Sequence, residues 1–281
     1  MIERTDAVNH SSLKFMRVSP KHYLWALKHP REDTDALQQG SLTHCMVYEP
    51  NAVSSRYVRA PNLHRGMLDA TARSKGYDGG KESAAQFDIE VAARKLIAVD
   101  PELWKNAEAM AAALHADPHA GPMIRGGFAE QLFTWVDSVT GIECRGRIDH
   151  IATRLTDLKT TRCIESRAFA NQAVRLDYPS QLSFYKSGLE ANGIACDEPP
   201  ALIAVENEPP YDVAVYEFTE QDLAAGQRMW RSWLDRLKVC RERNEWPGVA
   251  NNERMRIALP EWATATAEDD EPLTIGGVAL I

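Results

Sequence analysis

Residues 145–161 read Arg145-Gly-Arg-Ile-Asp-His-Ile-Ala-Thr-Arg-Leu-Thr-Asp-Leu-Lys-Thr-Thr161, and this stretch holds the side chains best suited to chemistry. Side chains of a strand alternate between its faces, so Glu143, Arg145, Arg147 and Asp149 fall together on one side. A face made wholly of charged residues lines a cleft or solvent and not a core. On the strand that follows, Asp157 and Lys159 share a face across the apolar Leu158. Two carboxylates and a lysine on neighbouring strands are therefore able to converge. Hard divalent cations such as Mg2+ take carboxylate and carbonyl oxygens and keep several waters, so two aspartates and a backbone carbonyl make an open site for a phosphate. Water bound to such an ion loses a proton more easily, and a nearby lysine can orient it or stabilise charge as it attacks phosphorus. These are the parts needed for metal-assisted hydrolysis of a phosphodiester.

Those strands need a frame. Period-two patterning begins at Glu130 and runs through 131–136 and 143–149, joined by the polar, Gly-ended connection 137–141. A third strand is predicted over 151–159, then helices near 166–174 and 180–191, strands near 201–206 and 213–218, and a long helix over about 220–243. Upstream, Asn9 and Ser11 are helix-cap candidates before Leu13 and Met16, and a helix over about 36–48 carries Leu37, Leu42 and Met46 along with His44. Residues 61–80 read as a loop or arch, with two helices following near 83–97 and 102–114. An antiparallel meander, a helical crossover and further strands predict an α/β (α+β) domain with a mixed central sheet flanked by helices. The expected organisation is one domain over 1–262, mainly helical over 1–127 with its core at 128–246, and an acidic tail at 263–281.

The chain has 281 residues, 44% of them hydrophobic and 26% charged, which excludes a disordered, collagenous or coiled-coil chain as a whole. Against 32 Lys and Arg stand 40 Asp and Glu, a net charge of −8, so a nucleic acid must meet a local basic surface. Five widely spaced cysteines without a CxxC pair read as reduced thiols. No stretch is apolar enough for a membrane span and the amino terminus carries no leader, so a soluble, cytoplasmic protein is expected.

Asp149 with Asp157-Leu-Lys159 resembles the PD-(D/E)xK nuclease signature, and Gln181-Leu-Ser-Phe-Tyr185 resembles the QxxxY motif of its RecB-like branch. Gly40-Ser-Leu-Thr-His44 resembles the upstream histidine motif of that branch, and Glu130 matches the acidic residue ahead of its core strands. More narrowly, Ser12-Leu-Lys, Ser19-Pro-Lys-His-Tyr23 and 36–44 make the chain similar to the RecE-type (exonuclease VIII) nucleases of phages and prophages. The resemblance implies a PD-(D/E)xK core in which Asp149, Asp157 and the Leu158 carbonyl ligate metal and Lys159 stands at the attacking water. It further implies His44 at a metal or the phosphate, Glu130 completing the acidic cluster, and Gln181 with Tyr185 positioning substrate, Gln181 against DNA. The implied activity is a Mg2+-dependent, ATP-independent exonuclease, with Mn2+ able to substitute. It degrades linear double-stranded DNA from the 5′ end and leaves a 3′ strand for a RecT-like annealing protein. A homo-oligomeric ring, such as a tetramer, is implied as well.

Each residue has a plainer reading. A lone Asp149 or Asp157 is usually a solvated or ion-paired group, His44 between Leu42 and Met46 fits a packed core histidine, and Gln181 and Tyr185 could simply pack a helix. Arg145, Arg147, Arg162 and Lys186 lie close by, and Arg147 is the expected DNA contact, with a structural ion pair as its rival. Arg65, Arg73, Lys75 and Lys81 mark the 61–80 segment as a DNA embrace or a solvated loop. Gly76-Tyr-Asp-Gly-Gly-Lys-Glu82 is one residue short of a phosphate loop and has Glu82 where Ser or Thr is required. His115 and His119 straddle Pro118 without the glutamate of a zinc protease, and the late cysteines are too few for an iron–sulfur cluster. An endonuclease of the same fold, or a DNA-end-binding protein without turnover, are the competing functions.

Overall fold

Short polar side chains ahead of apolar stretches start the helices. Asn9 accepts the Ser12 N–H at 2.8 Å and opens α1 (His10–Leu13), while Ser19 and Thr34 cap α2 (Pro20–Lys28) and α3 (Asp35–Tyr48) in the same way. A short α4 (Val53–Arg56) enters β1 (Tyr57–Arg59), and α5 (Asp69–Ser74) with α6 (Lys81–Arg94) stand between it and the parallel β2 (Ile97–Val99). Asp100 caps α7 (Pro101–Ala116), and α8 (Ala120–Met123) follows. The computed structural model describes residues 7–29, 33–251 and 253–259, and the backbone of 274–275 and 278–279. The acidic tail expected at 263–281 lies almost wholly outside the described residues.

The central sheet has the order β3 (Phe128–Val136), β4 (Glu143–Ile151), β5 (Leu155–Thr161), β6 (Ala201–Glu206) and β7 (Val213–Glu217). Only β5 and β6 run parallel, joined by the crossover through α9 (Ser166–Arg175) and α10 (Tyr178–Ala191). The capping box of Thr219 and Asp222 then starts α11 (Glu220–Arg243), and the two-residue strands β8 (Thr274–Ile275) and β9 (Val278–Ala279) pair with each other. This is the mixed α/β architecture expected from the sequence. Residues 201–205 of β6 are all buried, as a central strand covered on both faces requires. On one face Ile148, Leu155, Leu202 and Ala204 pack with Leu182 and Phe184 of α10 and Trp230 and Leu234 of α11. On the other, Leu158, Ile203 and Val205 pack with Leu42 of α3 and Met110 and Leu114 of α7.

Three expectations shift. The third strand begins at Leu155, because the chain turns at 152–154, where the Ala152 N–H reaches the Arg154 carbonyl at 3.1 Å. The first strand begins at Phe128, so Glu130 lies within it and not ahead of it. The 61–80 segment contains the helix α5, and two of its cations are held locally: Arg65 meets Asp88 at 2.6 Å and Arg73 meets Asp69 at 3.5 Å. All five cysteines are free, and among the described residues no helix is long and apolar enough to cross a membrane.

The β3–β4 hairpin is tied to α11 by Asp137, which is 3% exposed. Its Oδ1 accepts from the Thr140 N–H and hydroxyl at 2.8 Å each, and its Oδ2 pairs with Arg231. Burial works to raise this carboxyl, but the Thr140 bonds and Arg231 outweigh it and hold it below the usual range. A depressed carboxyl contributes stability that is present above its unfolded pKa and lost as pH falls through its folded one. Asp137→Ala is therefore expected to lower urea-unfolding stability at neutral pH by about 3 kcal/mol, with a smaller deficit in acid. An unchanged midpoint would show that the hairpin is held by other contacts.

Candidate active site

The sheet forks where the chemistry-bearing residues sit. β4 and β5 are paired only at His150↔Thr156 and Ile151↔Leu155, and beyond that point they part. At the far end of β4 the vacated edge is taken by Val8, which exchanges hydrogen bonds with Glu143 and Arg145 at 2.8 Å. Asp149 stands between these two pairings, and its Oδ2 accepts the Leu158 N–H at 2.8 Å, a side chain standing in for the missing ladder partner.

Three elements bring to one side of the fork a group of side chains that could hold a metal ion. The register on either side, Ala129↔His150 and Gln131↔Ile148, puts Glu130 opposite Asp149, and Glu130 itself takes a left-handed conformation at φ 51°. From α3, His44 Nδ1 lies 3.5 Å from Asp149 Oδ2 and 4.0 Å from Glu130 Oε1. One ligand atom from each of His44, Glu130 and Asp149 lies within 4.8 Å of the others, the one such group of three among the described residues. Helix α3 comes this close because Gly40 has no side chain: a Cβ there would stand 3.3 Å from Thr160 Oγ1.

Asp157, Lys159, Gln181 and Tyr185 assemble on the α10 side. Asp157 is 1% exposed, its Oδ2 paired with Lys159 Nζ at 2.5 Å and its Oδ1 accepting from Gln181 Nε2 at 3.2 Å. The same Gln181 nitrogen donates to the Tyr185 hydroxyl at 3.1 Å, one helical turn on. The Tyr185 ring occupies the room above Gly146, where a Cβ would meet it at 2.9 Å. Asp157 thus lies outside the three-residue ligand group, with its charge already answered by Lys159. The fork keeps the two halves in electrostatic contact, since the Asp149 charge acts on both Asp157 and Lys159.

Burial raises the Asp157 carboxyl, against the pull of Lys159. For Lys159, burial works downward, but the Asp157 and Asp149 carboxylates outweigh it and hold the ammonium above its ordinary range. The two carboxylates thus favour the charged form of Lys159. Burial and the neighbouring Asp149 push the Glu130 carboxyl up, opposed by His44 and Arg147. Burial raises Tyr185 to about 12, so its hydroxyl keeps its proton.

A cleft of about 450 Å³ opens over this arrangement, lined by His44, Glu130, Arg147, Asp149, Leu158 and Lys159 among others. The Arg147 side chain is 60% exposed and reaches Glu130 Oε2 at 3.8 Å. Arg56 and Glu49 form a two-pronged pair at the rim, at 2.5 and 2.7 Å. Lys186 is engaged by Glu190 on its own helix. Sequence reasoning missed two aromatic supports. Tyr48 packs edge-on to His44 and stacks on His150, and its place four residues after His44 on a helix was the available signal. Tyr178 lies beneath Lys159, with its ring centroid 5.0 Å from Nζ, and no local pattern marks it.

Two carboxylates and an imidazole suit a divalent ion of intermediate hardness, and with an imidazole in the set Mn2+ is expected to bind more tightly than Mg2+. Protons compete for Glu130, whose carboxyl is pushed up, so affinity is expected to rise from mildly acidic to neutral pH. Calorimetric titration with Mn2+ checks both points. An affinity independent of pH, or unchanged in Glu130→Gln, would remove Glu130 from the ligand set.

A family model described as a PDDEXK-like domain of unknown function (DUF3799) matches residues 9–255. Among solved structures, the chain is similar to a protein from Eubacterium rectale described as a "Putative exonuclease". The identity is 13%, over 93% of this chain and 94% of that chain, with a TM-score of 0.59. At that identity the likeness is one of fold. No curated protein sequence matches the chain.

Proposed function

Because the chain belongs to the PDDEXK-like family DUF3799, we propose that it is a metal-dependent nuclease whose phosphodiester chemistry takes place in the cleft between α3 and the β4–β5 fork. The observation that carries this reading is the ligand group of His44, Glu130 and Asp149 on one side of the fork, with the charged Lys159 lining the same cleft. His44, Glu130 and Asp149 would hold a divalent cation, with the Leu158 carbonyl as the further ligand that the resemblance implies, and the ion would supply Lewis acidity toward a phosphate. The protein's own part is positional and electrostatic. Lys159, locked by Asp157 and cushioned by Tyr178, presents a positive charge to the phosphate oxygens. Gln181 and the protonated Tyr185 fix Asp157 from behind and so fix Lys159. Arg147, the exposed cation at the cleft wall, takes a flanking phosphate.

The finer reading follows the RecE-type resemblance. The enzyme is an exonuclease working with Mg2+ and without ATP, entering linear double-stranded DNA at its ends and removing the 5′ strand. The remaining 3′ strand passes to a single-strand annealing protein in phage-type recombination. It acts in the cytoplasm of a bacterial host as a homo-oligomeric ring. Digestion of end-labelled linear duplex and of closed circular DNA, with Mg2+ and without ATP, tests it. Release of mononucleotides from the 5′-labelled end of linear DNA alone is expected. Cutting of the circle would make it an endonuclease, and retention of ends without cleavage would make it a binding protein.

A further inference from the structure

We propose that the open face of β3 and β4 is a track for a nucleic-acid strand with unpaired bases, running into the cleft; the inference rests on the nuclease reading of that cleft. Pairing across these strands sets Leu132 opposite Arg147, Thr134 opposite Arg145 and Val136 opposite Glu143. Directly opposed residues of an antiparallel pair share a face. The alternate residues Trp135, Cys144 and Ile148 are buried in the core beneath, whereas Leu132 is 60% and Val136 64% exposed. The next opposed positions along this face are Glu130 and Asp149 of the ligand group, and Arg147 itself lines the cleft. The face and the site are one continuous surface.

Its chemistry fits a single strand. Arg145 and Arg147 lie two residues apart, about 6.6 Å along the strand, a step of the order of that between neighbouring phosphates. Guanidinium groups suit phosphate recognition. Leu132 and Val136 flank them with exposed aliphatic surface, which gains by covering the flat faces of bases. A duplex keeps those faces inside its stack and offers only sugar and phosphate to such a row. A strand with unpaired bases offers both. Glu143 at the outer end and Glu130 at the inner end bracket the arginines, so the track holds about two phosphates.

Fluorescence anisotropy with a labelled oligothymidylate and a blunt duplex of equal length, in EDTA, tests this without cleavage. The single strand is expected to bind more tightly than the duplex. Leu132→Glu and Arg145→Glu should each weaken its binding by about tenfold or more, with Arg145→Lys retaining most of the affinity. In Arg145→Gln the slope of log affinity against log salt should fall by about 0.7. Thermal melting of each variant verifies the fold. Tighter duplex binding, or single-strand affinity unchanged in folded Leu132→Glu and Arg145→Glu, would overturn the proposal. So would Leu132→Glu splitting an oligomer in sedimentation while binding the oligonucleotide as wild type does, which would make the face a contact between copies. Because the binding is read without metal, a failure of cleavage alone would remove the nuclease reading and leave this result distinct.

Discussion

Asp149→Ala and Asp149→Asn are both expected to slow phosphodiester cleavage by about a thousandfold or more, the several kcal/mol that a correctly held cation contributes to such a reaction. The two variants part company in stability. Alanine leaves the buried Leu158 N–H without the acceptor it has at 2.8 Å, at a cost of about 1–3 kcal/mol. Asparagine keeps an oxygen in that place and removes only the charge. Equal loss of activity with unequal loss of melting temperature would identify Asp149 as both ligand and strut of the fork. If Asp149→Asn cleaves DNA at close to the wild-type rate, the ligand group of His44, Glu130 and Asp149 does not carry the chemistry.

Lys159→Met is expected to lose activity on a similar scale and, unlike Asp149→Asn, to lose about 3–5 kcal/mol of stability. The reason is Asp157, 1% exposed and paired to Lys159 at 2.5 Å. Without the ammonium, the remaining Gln181 bond cannot compensate a buried carboxylate, and burial drives the Asp157 carboxyl further up than it already stands. A carboxyl raised above its unfolded pKa contributes stability that is present below that unfolded value and lost as pH rises. The deficit of Lys159→Met should therefore shrink on acidification, as that of Asp137→Ala does, but here because the stranded Asp157 carboxyl takes up a proton and there because the wild type loses its own ion pair. Adding Asp157→Asn to Lys159→Met should restore most of the stability and none of the activity. Chemical denaturation across pH, run beside a cleavage assay, separates the two effects; a double variant as unstable as the single one would show that the pair is not the source.

Much of this arrangement is written locally. The period of two over 143–149 makes the charged face of β4 legible, and the Asp157–Lys159 spacing puts those groups on one side of β5. His44 is legible on α3 through Leu42, Met46 and the helical period. What local pattern does not carry is depth. Whether a carboxylate on a strand face meets water or a covering helix depends on where α10 lands, so the burial of Asp157 and its separation from the ligand group were out of reach. The left-handed backbone of Glu130 within β3 was equally hidden, since glutamate has no preference for that conformation. The fork itself is a statement about strand pairing, which two adjacent strands with good alternation do not reveal.

The edge of β4 beside the fork is occupied by Val8, a residue far upstream of β4 in the chain, and His10, two residues on, is anchored to Ser180 of α10 at 2.5 Å. In kinetic terms, the reactive centre is a product of late, long-range closure. Its carboxylates lie on strands that can pair early, but the segment that seals the split strand is made first and must wait for β4 and α10 before it has anything to bind. A nascent or partly folded chain therefore holds Asp149 and Lys159 without the sheet that aims them. Hydrogen exchange during refolding should show the Val8–Arg145 bonds acquiring protection after the β3–β4 hairpin, and cleavage activity appearing with the former and not the latter.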